Sequence, residues 1–312
     1  MPKQPVRKST EKDKALIAAA RDGRADGVKA LLEGPEGANA RAHDEHGRTA
    51  LIHAAVRGHA ECVKLLLARS FVPKLDEYRL SALHWAATGG HAECVRLLIP
   101  RSRPNATKTG RASPIECAAE KGETECVRVL LASSDARHHG HNGRTALMLA
   151  AGNGHVECVR LLLAGSDGSA ADEHGRTALM HACGSLLEYT PQSTQPCVEA
   201  LLPISDPLAV SVHPTAGTER TAFDYAVLYG RFDCADALAS FMPREAVEKA
   251  YAGLSGNGPD LMPRWAASLE AEALRNAAFP ERNPEPQSAP PLREAAAGAA
   301  PAGGETRSKR RL

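Results

Sequence analysis

The chain has 312 residues, 24% charged and 43% hydrophobic, which gives it the ordinary composition of a soluble protein and enough length to bury a sizeable core. Lys and Arg number 38 against 37 Asp and Glu, and the formal net charge of +1 argues against a chain built wholesale to coat nucleic acid or anionic membrane. Aromatics are only 4%, which favours packed helices over a sheet sandwich; no run approaches the ~20 apolar residues of a membrane span, and the polar start lacks the apolar region of a secretory signal.

Residues 1–11 read as a flexible N-terminus. From Lys12 to Leu32 the chain carries Ala19-Ala20-Arg21-Asp22-Gly23, which aligns on Ala54-Ala55-Val56-Arg57-Gly58 further on, so 12–43 reads as the first unit of a repeat. Thr49-Ala50-Leu51, Ser81-Ala82-Leu83, Ser113-Pro114-Ile115, Thr145-Ala146-Leu147 and Thr177-Ala178-Leu179 then recur at steps of 32, and Thr221-Ala222-Phe223 follows 44 later. The repeat domain spans 12–242, with further units at 44–75, 76–107, 108–139, 140–171, 172–215 and 216–242, about seven in all. Each unit continues as TALMLAAGNGHVECVRLLL does from Thr145: a short helix with paired alanines, a Gly-His turn, and a second helix with apolar residues at i, i+3, i+4 spacing. Neither helix can bury its face alone, whereas stacked units share one continuous core.

The long sixth step has two causes. Gly184 to Pro196 inserts residues between the two helices of one unit, and Pro203 to Thr218 lengthens the next connection. Beyond these, helices are expected from Pro243 through Leu254 and from Pro263 through about Ala278, so that 243–279 caps the stack or lies loosely on it. From Pro280 to Leu312 the composition is rich in Pro, Ala, Gly and Glu, which predicts a disordered tail, with Arg307, Lys309, Arg310 and Arg311 as a terminal charge run.

Residues that suggest chemistry mostly follow the period. Cys62, Cys94, Cys126 and Cys158 are 32 apart, with Cys197 and Cys234 at the same helix position, and helices in neighbouring units lie about 8 to 10 Å apart, too far for a disulfide. They read as small core residues. His59, His91 and His155 each precede such a Cys by three, and His138, His139 and His141 cluster between units, yet replication in every unit argues for scaffold over metal. Glu61 with Lys64, Glu93 with Arg96, Glu125 with Arg128 and Glu157 with Arg160 are i, i+3 pairs on an exposed helix face. There is no GxSxG, Walker loop or HExxH, and His43-Asp44-Glu45-His46 has the wrong spacing for the last.

The wording GRTALMxAAxxGHxECVRLLL resembles the ankyrin repeat, over about Lys12 to Leu238, and the Cys-bearing second helix is most similar to the ankyrin-only proteins of diplomonad protists. No kinase loop or catalytic motif accompanies it. The resemblance implies an all-α ankyrin-repeat solenoid of about seven helix pairs joined by β-hairpin fingers, the first pair being a cap without a finger, and a concave face that binds protein. The family His after Leu survives only as His84, so the hydrogen bonds it makes elsewhere are in doubt at Ile52, Glu116, Met148, Met180 and Asp224.

Carried over position by position, the family's variable binding residues fall on Glu45, His46, Arg48 and Arg57, then Glu77, Tyr78 and Leu80, then Thr109, Glu120 and Lys121. His141, Asn142, Arg144 and Asn153 follow, then Glu173, His174 and Arg176, and last Arg220 and Tyr229. Arg144, Arg176 and Arg220 share one repeat position, which points to an acidic partner, or else to aliphatic stems that merely cover the next finger. The expected function is a non-catalytic scaffold or adaptor for a protein partner, with a regulatory subunit of an enzyme complex such as a kinase, or a cytoskeletal tether, as alternatives. No cofactor, metal, small-molecule substrate, nucleic acid or membrane insertion is expected. The chain is expected to be monomeric when unbound and cytoplasmic, with cytoskeletal or nuclear association as the alternatives.

Overall fold

The computed structural model describes residues 10–33, 37–69, 75–102, 112–133, 140–184, 193–212, 219–243 and 245–248. All lie in one compact unit that spans 1–259. The described residues hold fourteen α-helices in seven consecutive pairs: α1 (Glu11–Arg21) with α2 (Ala25–Glu33), α3 (Ala50–Val56) with α4 (Ala60–Arg69), and α5 (Ala82–Thr88) with α6 (Ala92–Leu98). Next come α7 (Pro114–Lys121) with α8 (Thr124–Leu131), α9 (Ala146–Gly152) with α10 (Val156–Leu163), α11 (Ala178–Cys183) with α12 (Gln195–Leu201), and α13 (Ala222–Leu228) with α14 (Phe232–Ala239). First helices pack on first helices of the neighbouring pairs and second on second, so the chain is a linear stack.

A short polar residue starts most first helices. The hydroxyls of Thr49, Ser113, Thr145, Thr177 and Thr221 each accept the N–H three residues on, which satisfies one of the donors that a helix start leaves orphaned. The next residues turn inward at a fixed spacing: Leu16, Leu83, Ile115, Leu147, Leu179 and Phe223 are fully buried, with the paired alanines 54–55, 86–87, 118–119 and 150–151 between them. Alanine lets the helix axes approach closely, and each buried large side chain contributes about 1.5–3 kcal/mol of transfer free energy. The second helices add a matching column of Val63, Val95, Val127, Val159 and Val198, all at 0% exposure.

Between pairs, the chain makes short fingers. Isolated antiparallel bridges join His43 to Thr49 and Ala171 to Thr177, and the last finger is a two-stranded hairpin of β1 (Ser211–Val212) and β2 (Glu219–Arg220). Fingers also join their neighbours through backbone bonds, from Glu77 N–H to the His46 carbonyl and from Glu173 N–H to that of Asn142.

The Gly-His turn is an inter-repeat staple. Nε2 of His59, His91 and His155 donates to the carbonyls of Arg21, Val56 and Glu120, each in the preceding repeat unit and each 3.1 Å away. Gly58 and Gly122 occupy the left-handed region, and a Cβ there would run into the ring of His91 or His155. Glycine thus serves both the turn and the ring that lies on it.

Of the expected C-terminal elements, residues 245–248 are helical and Val247 is buried. Residues 244 and 249–279, the tail 280–312, and most of the 184–196 insert lie outside the described residues.

Candidate functional site

The face made by the fingers and the first helices is built on a repeated aspartate. Asp44, Asp76 and Asp172 stand at the start of their fingers, and Oδ1 accepts backbone N–H groups of the finger: His46 and Arg48 for Asp44, Leu80 for Asp76, His174 and Arg176 for Asp172. Oδ2 accepts from a ring nine residues on, in the following first helix: His53 Nε2 at 2.8 Å, Trp85 Nε1 at 2.8 Å and His181 Nε2 at 2.9 Å. One carboxylate therefore locks a finger to a helix, and the side chains beside it are pre-positioned.

In the second and third repeats this lock organises an aromatic-cationic cluster. The Arg48 guanidinium lies over the Trp85 ring, 4.7 Å from its centroid, and 5.8 Å from that of Tyr78, with Nε 3.7 Å from Asp76 Oδ2. Tyr78 remains 46% exposed. At the neighbouring tip His46 Nδ1 meets a Glu77 carboxylate oxygen at 2.8 Å.

In the sixth repeat the same lock carries more charge. Arg176 turns back on its own finger, with Nε 3.0 Å and one terminal nitrogen 2.9 Å from Asp172 Oδ2. Burial acts to raise the Asp172 carboxyl, but the His181 bond and the backbone donors outweigh it and hold it well below the ordinary carboxylate range. Burial lowers His181, and the nearby Arg176 and Arg144 add to that drop against the pull of Asp172. At neutral pH the pair is a neutral imidazole donating to a carboxylate, flanked by two guanidinium groups.

The fifth repeat lacks the lock, since Gly140 replaces the aspartate and Leu149 the ring. Glu116, fully buried on α7 of the previous repeat, places its carboxylate where a side chain on Gly140 would lie. At the last finger a hydroxyl pair takes over, with Ser211 Oγ 3.2 Å from the Tyr225 hydroxyl; Tyr225 in turn stacks on Tyr229 at 6.3 Å.

Most of the sequence-derived binding residues lie on this face or its rim. Glu45, His46, Arg48, Glu77, Tyr78, Leu80, Asn142, Arg144, Glu173, His174 and Arg176 belong to the fingers, and Arg220 to β2. Arg57, Asn153 and Tyr229 close first helices, and Glu120 and Lys121 end α7. Arg176 is already paired, because Asp172 four residues earlier in the same finger is aimed at it. Thr109 and the side chain of His141 lie outside the described residues.

Asp44, Asp76, Asp172, His53 and His181 were not singled out from the sequence. The signal was present, as Asp at the first finger position followed by a His or Trp nine residues on. His84 meets the Ser81 N–H through Nδ1 at 3.2 Å, and burial brings it down to about 4, against the milder upward pull of Asp76 and of a hydrogen bond with the Ala112 backbone.

The eight cysteines are free thiols, seven of them buried. Burial pushes Cys94 up to about 11 and Cys126 to about 12, so neither is a ready thiolate nucleophile. Among the described residues no group of three or more His, Cys, Asp or Glu side chains is placed to hold a metal ion, and no helix is long and apolar enough to cross a membrane. The i, i+3 pairs form on the second helices at 2.8 to 3.7 Å with both partners more than half exposed, so each contributes little to stability.

Helix pairs stacked through staples, with an outward-facing row of locked fingers, define a repeat solenoid of the kind that presents a face to other proteins. The family model described as "Ankyrin repeats (3 copies)" matches residues 3–76, 68–137 and 115–204. The chain belongs to the ankyrin-repeat family. It is also similar to the crystal structure of the human ASB11 ankyrin repeat domain, at 25% identity and a TM-score of 0.58, over 78% of this chain and 98% of that one.

Proposed function

We propose that this chain is a non-catalytic scaffold that holds a protein partner against its fingers and first helices. The observation that carries this reading is the Arg48, Tyr78 and Trp85 cluster, with the Arg48 guanidinium over both rings, Trp85 tied to Asp76, and Tyr78 left half exposed. Arg, Tyr and Trp are the residues that most often anchor protein interfaces, and side chains fixed before binding lose less entropy when a partner arrives. The candidate binding set is the one derived from the repeat, now centred on Arg48, Tyr78 and Trp85.

An acidic partner is favoured at the sixth-repeat end, where both Arg144 and Arg176 act on His181 and Arg176 pairs with Asp172. Arg144 is the better donor to a partner carboxylate, since Arg176 already serves Asp172. The narrower likeness to diplomonad ankyrin-only proteins is part of this same reading.

The test is capture from lysate on the full-length chain, with bound proteins identified by mass spectrometry. Arg48→Ala with Tyr78→Ala is expected to remove the captured partner, while Glu93→Ala with Arg96→Ala on the opposite helix row leaves it bound. Equal capture by both variants would rule the cluster out as the site. Arg144→Glu should weaken binding and flatten its salt dependence; unchanged salt dependence would remove the acidic-partner reading alone.

A further inference from the structure

We infer that Trp85, Tyr78 and Asp76 form a receptor for a basic side chain of the partner, which Arg48 fills in the free chain and vacates by turning back onto Asp44. The partner rests on the scaffold reading above, whereas the receptor and its exchange are read from two copies of one peptide. Asp44 to Leu51 and Asp172 to Leu179 are the same eight residues, DEHGRTAL. They fold alike, with Gly47 and Gly175 at φ 72° and 74°. Oδ1 of each aspartate accepts two N–H groups of its finger, and Oδ2 meets His53 Nε2 at 2.8 Å or His181 Nε2 at 2.9 Å.

The arginine is what differs. Arg176 turns back and places Nε 3.0 Å and a terminal nitrogen 2.9 Å from Asp172 Oδ2. Arg48 reaches forward instead, with its guanidinium 4.7 Å from the Trp85 centroid and 5.8 Å from that of Tyr78. Since the peptide and its turn are the same, the following repeat makes the choice. After Arg48 it offers the faces of Trp85 and Tyr78; after Arg176 the ring at the position of Trp85 is Tyr225, 6% exposed, bonded to Ser211 and stacked on Tyr229. The forward position leaves a donor unsatisfied: Arg48 Nε is buried without a hydrogen-bond partner among the described residues, and Asp76 Oδ2 is 3.7 Å from it. Turning back gives Arg48 the two charge-assisted bonds that Arg176 makes, which offsets the loss of the rings and lets a ligand shift one position to the other.

What Arg48 uncovers suits a cation. Two ring faces and the buried carboxylate of Asp76 remain, and an aromatic face attracts positive charge. Trp85, tied to Asp76, stays fixed while Arg48 exchanges. Residues 44–48 and 76–80 carry Asp44, Glu45, Asp76 and Glu77 against Arg48 and Arg79, a formal charge of −2. Residues 140–144 and 172–176, by contrast, balance Asp172 and Glu173 with Arg144 and Arg176. The second and third fingers therefore favour a basic group. Arginine is the occupant, because the rings already hold a guanidinium and its planar group stacks where the compact ammonium of lysine does not.

Trp265→Phe leaves Trp85 as the one tryptophan, so that emission reports on the receptor. The probe is N-acetylarginine amide, with N-acetylglutamine amide as the uncharged control. In an Arg48→Ala chain the arginine probe is expected to change Trp85 emission saturably, with a Kd on the order of millimolar, and the control is expected to leave it unchanged. With Arg48 present to compete, binding should weaken about 10-fold or more. Arg48→Ala with Tyr78→Ala should lose it. No saturable change in Arg48→Ala, an equal response to the glutamine amide, or equal affinity with Arg48 present overturns the inference. Arg48→Gln, which keeps part of the stem, carries the same titration should Arg48→Ala fail to fold. In capture from lysate, Arg48→Ala alone is expected to raise recovery of the partner several-fold. Unchanged or reduced recovery overturns the inference and leaves the scaffold reading standing. Absence of any captured partner overturns the scaffold reading, and the titration then decides the receptor by itself.

Discussion

The finger at 172–177 and the finger at 140–145 have the same backbone plan and opposite solutions to the same problem. In the sixth repeat Asp172 gathers the N–H groups of His174 and Arg176 and the ring of His181 on one carboxylate. In the fifth, Gly140 has no side chain, and the buried carboxylate comes instead from Glu116 of the preceding repeat, itself held by the Ser113 N–H at 3.1 Å. A repeat position is therefore not a property of its own repeat alone. Where the local side chain is missing, a buried carboxylate of the preceding repeat takes up the space at the finger base.

The largest expected effect breaks the sixth-repeat solution. Asp172→Ala strands three donors and the Arg176 charge, and is expected to lower unfolding free energy by about 3–5 kcal/mol in urea titration. A loss below about 1 kcal/mol would show that the lock is ornamental. The fifth-repeat solution is tested by Gly140→Ala, which places a methyl group on the Glu116 carboxylate and should cost about 1–3 kcal/mol. Glu116→Ser in the same chain should recover part of that cost. Additive losses in the double-mutant cycle would mean that the two residues do not share a site.

Acidity should separate the fingers further. Asp172 and Asp44 have carboxyls lowered in the fold, Asp172 strongly, so their stabilisation is complete above the usual carboxylate value and is lost as pH falls through the folded values. His84, brought to about 4, and His181, also lowered, are neutral in the fold, while the unfolded chain takes up protons from about pH 6.5 downward. Both effects have the same sign: stability falls on acidification, by at most about 1.4 kcal/mol per pH unit for each histidine. In thermal melts between pH 6.5 and 4, His84→Asn should flatten this slope and leave the part due to His181. An unchanged slope would take His84 out of the account.

The smallest effect concerns the third finger. Arg79 holds φ 62° where Gly47, Gly143 and Gly175 hold the same left-handed turn. Arg79→Gly relieves a strain of about 1–2 kcal/mol but gives back part of it as chain entropy, so a gain of up to about 1 kcal/mol in unfolding free energy is expected. A lower melting temperature would mean that the Arg79 side chain makes a contribution larger than its strain.

Much of this was legible before any coordinates. The 32-residue step gave the helix pairs, the burial of Leu147 and Val159 and the exposure of the Glu157–Arg160 pair, because each depends on helical periodicity within a few residues. The row of Arg144, Arg176 and Arg220 was legible as a row but not as a chemistry. Whether Arg176 is free depends on the rotamer that Asp172 imposes, and equal position in a repeat says nothing about that.

The sequence by itself determined the solenoid, its family and the residues of its two helix rows, since a periodic chain of amphipathic units has one economical way to bury its apolar faces. Only the tertiary structure decided the partners: His91 on the Val56 carbonyl, Arg48 over Trp85, and Glu116 beside Gly140. Those contacts join residues of adjacent repeats or of a finger and a helix. Their geometry is set by how far one unit is shifted and turned on the next, a quantity that the order of residues along the chain does not contain.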